Sequence, residues 1–244
     1  MTYVRQSQDR GIRTLVLDSP ANRNALSAGL VGELGEALAE CAGDTGVRAV
    51  LLTHSGGTFC AGADLKSPAD PAAFVSLMRA VVELPKPVVA RVTGHVRAGG
   101  LGLLGACDIA VAGADSTYAF TESRLGLAPA VISMPLLPRM EPRAAARYFL
   151  TGERFGPAEA ARAGLLSEAA DDVDAALAPV LDGLRRASPQ GLAASKALVT
   201  ATVVETFDRW TEDLSARSAA LFASDEAKEG VAAFLERRDP VWVW

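Results

Sequence analysis

Two glycine- and alanine-rich stretches could do chemistry with their backbones, and both follow strand-like runs. One, "GHVRAGGLGLLGACDI" over 94–109, follows "KPVVARV" and contains a literal G-x-G-x-x-G at Gly100, Gly102 and Gly105. That spacing cradles a dinucleotide pyrophosphate when a strand precedes it and a full crossover helix follows. Only about eight helical residues, roughly 12 Å of rise, fit between Gly100 and Asp108, too few to cover a parallel sheet. The nucleotide reading fails. What remains is local: Gly99 and Gly100 open a short helix whose first N–H groups are unpaired donors beside a positive dipole end. Glycines let a ligand approach such donors closely, although tight helix–sheet packing is another use for them. The other stretch, "FCAGADLK" over 59–66, is a second small-residue loop after a strand. Converging donors from two such loops make an oxyanion hole, which stabilises charge growing on a carbonyl oxygen.

Strands and helices must hold these loops. Val4–Gln8 and Ile12–Asp18 read as strands joined by the turn "QDRG". The loop "SPANRN" leads into a helix capped by Ser27, with Leu30, Leu34 and Leu38 at helical spacing. "VRAVLLTH" reads as a buried strand, "PAAFVSLMRAVVEL" as a helix, and "KPVVARV" and "DIAVAG" as further strands. This alternation through about residue 170 predicts an α/β core with buried sheets. From about Asp174 the pattern turns helical. Phe207, Trp210, Leu214 and Leu221 lie close to one face, and "SDEAKEGVAAFLERRDP" carries acids in its first turn and Arg237 and Arg238 in its last. The expected division is an α/β core over 1–190 and a helical region over 191–244.

Composition narrows the function classes. Half of the 244 residues are hydrophobic, and 24 basic against 29 acidic residues leave a net charge of −5 without long charged blocks. That argues against a nucleic-acid partner. No apolar run spans a bilayer and the polar N-terminus has no apolar targeting core, so a cytoplasmic protein without membrane contact is expected. Cys41, Cys60 and Cys107 form no ligand pattern and read as buried free thiols. With only two histidines, His54 and His95, a His-based metal site is not expected.

Six segments, in order, resemble the crotonase (enoyl-CoA hydratase/isomerase) superfamily across nearly the whole chain. They are "SPANRNALS", "GTFCAGADLK", "GHVRAGGLGLLGACDIAVA", "YAFTESRLGLAP", "YFLTGERFGPAEAARAGLLSE" and "DEAKEGVAAFLERRDPVW". The resemblance implies an α/β fold, a spiral of ββα units with a C-terminal helical trimerisation region, hence a homotrimer or hexamer. It implies an acyl-CoA thioester as substrate and no separate cofactor. The N–H groups of Ala61 and Gly99 would hold the thioester oxygen as it becomes an enolate. Ala63, Asp64 and Leu65 would lie near adenine, and Arg23 and Ala25 along the pantetheine–phosphate path, with Gly100, Gly102 and Pro129 also lining the substrate site. Glu122 would be the acid/base, and its mostly apolar flanks suggest a burial-raised pKa suited to that work.

The resemblance also exposes a departure. A hydratase of this family carries two glutamates, and the first of them falls on Gly102. One carboxylate opposite one oxyanion hole suits double-bond isomerisation, yet the segment looks most like hydratases of branched or glutaconyl-type enoyl-CoAs. A hydratase-type lyase is taken first, a Δ3,Δ2-enoyl-CoA isomerase second, and a non-catalytic acyl-CoA-binding scaffold third. Gly102→Glu then serves as a test, in which a jump in hydration shows an intact oxyanion hole limited by the missing carboxylate. "AVIS" at 130–133 replaces a glycine-rich turn and predicts a tighter, more apolar acyl pocket. His95 reads as structural, Arg97 as half of a surface or intersubunit salt bridge rather than a carboxylate reader, and Arg124 either lowers the Glu122 pKa or braces its loop.

Overall fold

A computed structural model describes residues 2–64 and 66–244. The first hairpin joins β1 (Val4–Asp9) to β2 (Ile12–Leu17) through Arg10 and Gly11, both at positive φ. That turn geometry matches the natural twist of paired strands. Ser27 caps α1 (Ala28–Gly43) by accepting the Leu30 N–H, and Leu30, Leu34 and Leu38 are buried along it as expected.

β3 (Ala49–His54), β5 (Val88–Val92), β7 (Ile109–Gly113) and β9 (Glu168–Ala170) extend the hairpin into one sheet of order β1-β2-β3-β5-β7-β9, parallel from β2 onward. Both faces of its centre are covered, which is why these strands read as continuous apolar runs. Val50, Leu52, Val88 and Ala90 enter the main core, which α1 and α2 (Pro71–Glu83) help to form. Val89 and Val111 face Val173 and Leu177 of α7 (Val173–Arg186).

Three of the parallel strands continue, after a break, into short partners: β4 (Thr58–Cys60), β6 (His95–Arg97) and β8 (Tyr118–Ala119). These form a second parallel sheet of order β4-β6-β8. Neither β4 nor β6 was read from the sequence: β4 lies in what read as a small-residue loop, and the three residues of β6 merge with the glycine stretch. β4 and β6 are followed by α2 and by the eight-residue α3 (Gly99–Ala106), so strand, strand and helix repeat as the resemblance implied. Beyond β8 come α4 (Ser133–Leu136), α5 (Pro142–Thr151) and α6 (Pro157–Arg162).

The C-terminal region is α8 (Pro189–Phe222), a single 34-residue helix, followed by α9 (Asp225–Glu236). Phe207 is fully buried, but Trp210 is 40 % exposed, so the expected apolar stripe is only partly used within this chain. Arg237 does not lie in the last turn of α9; it adopts φ 56 and caps the helix in the left-handed region.

Lys196 ties α8 to the sheet. Its Nζ lies 2.8 Å from Asp108 Oδ2 and donates to the carbonyls of Val81 and Lys86, with both charged side chains more than nine-tenths buried. Removing one partner of such a pair leaves an uncompensated charge in the core. Lys196→Met is therefore expected to cost about 3–5 kcal/mol, read as a lower urea midpoint. An unchanged midpoint would place the pair in effective contact with water.

Candidate active site

The two glycine-rich loops meet. Residues 23–26 and 61–64 run side by side through the Leu26↔Ala63 bridge, the Leu26 N–H donating to the Gly62 carbonyl at 2.8 Å. Gly62 has φ +92, and a Cβ there would lie 3.0 Å from Ala98 Cβ and 3.5 Å from Gly99 N. Both facts demand glycine, and together they seat the first loop against the start of α3. Gly100 is packed as closely: its added Cβ would lie 2.7 Å from the Cys60 carbonyl oxygen.

One of the expected donors is taken. The Ala61 N–H donates to the Arg23 carbonyl at 3.1 Å, so it holds two loops together and is not free for a ligand. Among the described residues, no backbone or side-chain acceptor engages the N–H of Ala63, Gly99 or Gly100. Ala63 follows Gly62 and is exposed, and with no acceptor engaged its N–H replaces that of Ala61 as the candidate donor of this loop.

Ala98, just before Gly99, has φ 45 and ψ −121 without being glycine. Such a conformation costs on the order of 1–3 kcal/mol and is sustained by the surrounding structure. Its N–H donates to the Ala119 carbonyl of β8 at 3.2 Å. That bond brings the chain three residues before Glu122 alongside the start of α3.

Glu122 opens a 3-10 turn, Glu122–Leu125, and its residue exposure is 9 %. Oε2 has no hydrogen-bond partner. Burial pushes the pKa up to about 7, because the charged form loses its water. A carboxylate poised there can both take and return a proton near neutrality. Arg124 braces this turn by donating from Nε to the Thr151 carbonyl at 2.9 Å, and it is not among the causes of the Glu122 shift. α9 supports the turn from behind: added Cβ atoms on Gly126 and Gly230 would lie 2.7 Å from the Glu226 carbonyl carbon and 2.6 Å from that of Leu125.

Gly102 lies one turn into α3, and its missing side chain has been replaced from another element. A Cβ there would sit 2.5 Å from Ile132 Cγ2 and 2.8 Å from Met78 Sδ. The test by Gly102→Glu alone is therefore obstructed, since Ile132 of "AVIS" and Met78 fill that space. α3 itself, GGLGLLGA, offers no titratable group.

Of the other expected residues, Arg23 is exposed at φ 58 and Ala25 and Pro129 are buried. Asp64 is spent on its own loop, with Oδ2 accepting from Asn22 and Oδ1 from the Lys66 and Ser67 N–H groups. Those bonds, led by Lys66, hold its carboxyl below the usual range. Leu65 lies outside the described residues. Arg97 makes no ion pair among them; its guanidinium donates to the carbonyls of Val96 and Thr117 and to Thr117 Oγ1. Within the chain, Arg97 therefore clamps backbone instead of closing a surface salt bridge. His95 Nδ1 lies 3.0 Å from the same Thr117 hydroxyl. Cys41, Cys60 and Cys107 are free and buried, with burial pushing the Cys60 and Cys107 thiols up to about 12, so neither is a nucleophile. No helix of the described residues is long and apolar enough to cross a membrane, and no cluster of three or more His, Cys, Asp or Glu among them could hold a metal ion.

Asn24, which the sequence reading passed over, braces the candidate site. Fully buried, it donates to the Ser55 and Thr58 carbonyls and accepts the Ser19 N–H, pinning the loop before Ala25 to the loop before β4. Its polar side chain inside an otherwise small-residue loop was the available signal.

The chain is also similar to known proteins along nearly its whole length. The sequence pattern of the family described as enoyl-CoA hydratase/isomerase matches residues 7–243. A human protein, enoyl-CoA hydratase domain-containing protein 2, mitochondrial, is 34 % identical over 96 % of this chain and 86 % of its own length. The 1,2-epoxyphenylacetyl-CoA isomerase of Escherichia coli K12 is 30 % identical over 98 % of both chains. The crystal structure of an enoyl-CoA hydratase from Mycobacterium avium superposes with a TM-score of 0.93 at 51 % identity, covering all of both chains.

Proposed function

Because the chain belongs to the enoyl-CoA hydratase/isomerase family, whose members work on acyl-CoA thioesters, we propose a one-carboxylate enzyme that shifts a carbon–carbon double bond. The observation that carries this reading is the packing at Gly102: a side chain there would meet Ile132 and Met78, so this position, where the family's other glutamate would fall, offers Glu122 no partner acid. The ionised Glu122 removes the proton from C2 of a 3-enoyl-CoA. The electron pair moves into the thioester carbonyl, whose oxygen becomes an enolate held by the Ala63 and Gly99 N–H groups. The electrons then return, Glu122 delivers its proton to C4, and the double bond lies between C2 and C3. A thioester α-proton is weakly acidic, so stabilising the enolate oxygen away from water is the largest lever available. The thioester is its own electron sink, and the step asks for no cofactor.

In this reading Arg23 and Ala25 follow the phosphate–pantetheine arm, Ala63 and Asp64 border the adenine, and Pro129 and Ile132 border the acyl group. The exposed Trp210, Phe222, Phe234 and Leu235 in the C-terminal helices support assembly with further copies of the chain, as in a trimer or a pair of trimers.

Hydration is the second reading. It is favoured by the unpartnered Glu122 Oε2, which could hold a water, and by the likeness to the Mycobacterium avium protein called a hydratase. One assay separates the two: paired 2-enoyl- and 3-enoyl-CoA substrates followed by absorbance and mass together. Isomerisation creates conjugation at constant mass. Loss of conjugation with the mass of one water added, and no reaction of the 3-enoyl ester, would reject the isomerase. Binding of the esters without turnover would leave the scaffold reading.

A further inference from the structure

The ladder between β3 and β5 stops at Leu52↔Ala90. Beyond it the two strands diverge, each heading for its own place in the small sheet as β4 and β6. Two side chains of β3 carry the link on. Thr53 Oγ1 donates to the Arg91 carbonyl at 3.0 Å, and His54 Nε2 accepts the Thr93 N–H at 3.0 Å, with the Thr93 hydroxyl 3.3 Å away.

His54 is the last tie before the fork. It is 8 % exposed, and its ring stands edge-on to Phe59 of β4 at 5.7 Å between centroids. Its Cε1 would lie 2.9 Å from a Cβ on Gly94, which would also meet the Gly57 carbonyl at 2.5 Å. The imidazole thus fills the wedge between the turn entering β4 and the turn entering β6. Because Nε2 is the acceptor, the neutral ring carries its proton on Nδ1, an assignment made from the hydrogen-bond network. Burial favours that neutral form by pushing the pKa below its ordinary value.

What lies beyond the fork is the pair of donors. β4 runs three residues to Ala63, and β6 runs two residues to Gly99. Each is short, so a change in the angle at which the strands part is carried directly to the N–H groups. We infer that His54 is a positioning residue of the oxyanion hole, setting the separation of the Ala63 and Gly99 N–H groups through the Thr93 amide. The inference rests on the functional reading above.

The test uses acetoacetyl-CoA, whose acidic α-carbon gives an enolate visible in the ultraviolet, so that donor strength is read without turnover. Wild-type protein is expected to ionise the bound ester at a pH below that needed in solution. His54→Leu, which keeps the bulk and loses the acceptor, weakens that ionisation by about tenfold to a hundredfold, the scale expected of a small misplacement. His54→Gln, whose amide oxygen reaches the place of Nε2, restores it, whereas His54→Asn, a bond shorter, does not. This Gln–Asn contrast remains decisive if His54→Leu fails to fold. Enolate on the wild type that is undiminished in the Leu variant, or equal in Gln and Asn, overturns the role of His54 alone. Absence of bound enolate on the wild type overturns the functional reading, and the inference with it.

Discussion

Glu122→Gln is expected to abolish turnover, by 10²-fold to 10⁴-fold on the scale of a lost general base, and to make the protein more stable at pH 8. The two effects share one cause. Burial lifts the Glu122 pKa from its ordinary 4.5 to about 7. Below pH 4.5 the group is protonated in both folded and unfolded chains and costs nothing. Between there and pH 7 the unfolded chain gives up its proton while the folded one keeps it, so stability falls as pH rises. Above pH 7 the folded protein carries a desolvated charge, at a cost of about 3 kcal/mol. Glutamine has the shape of the neutral acid and never ionises. Urea midpoints for both proteins should coincide near pH 4.5 and separate by up to about that amount at pH 8. Equal midpoints at both pH values would mean that water reaches the carboxylate. The same shift predicts that kcat/KM of the wild type rises with pH and levels off above an apparent pKa near 7, since the base must be ionised to act.

Gly102→Ala is expected to destabilise the protein although alanine is the better helix former. Its Cβ would fall 2.5 Å from Ile132 Cγ2, inside any real contact distance. Overpacking of this kind costs about 1–3 kcal/mol and sometimes more. Ile132→Ala alone should cost about 2–5 kcal/mol through the cavity it leaves. Together the two should be less destabilising than either loss predicts, because the new methyl occupies the new space. A double-mutant cycle on urea midpoints measures that coupling, and simple additivity would deny the contact. The chemical consequence follows from the packing. Gly102→Glu alone gives a poorly folded protein without new activity, while Ile132→Gly beside it removes the closer obstruction and leaves only the flexible end of Met78 to shift for a second carboxylate. Hydration of a 2-enoyl-CoA is then expected to rise at least about tenfold over the wild type, the low end of what a positioned acid/base contributes. A well-folded double variant without that gain would fix the limit elsewhere in the site.

Much of the fold was legible because its signals are local. The hairpin turn, the Ser27 cap, the apolar runs of the parallel strands and even the eight-residue length of α3 follow from residue types within a few positions. β6 escaped because three residues between a break and a glycine stretch carry no periodicity. Arg237 escaped because a basic residue after a helix reads equally as last turn or cap, and its positive φ is set by the chain folding back.

In the site, the sequence by itself determined the parts: donor-rich loops after strands, a glutamate in apolar surroundings and a glycine where a second acid was expected. Tertiary structure decided which parts are free to act. The Ala61 N–H is claimed by Arg23 and that of Ala63 is not. The vacancy at Gly102 is filled by Ile132, 30 positions along the chain. Glu122 sits beneath enough protein to hold its proton near neutral pH. Each of these depends on a partner distant in sequence. Hydrogen-bond satisfaction, close packing and desolvation are properties of surroundings that no single stretch of chain contains.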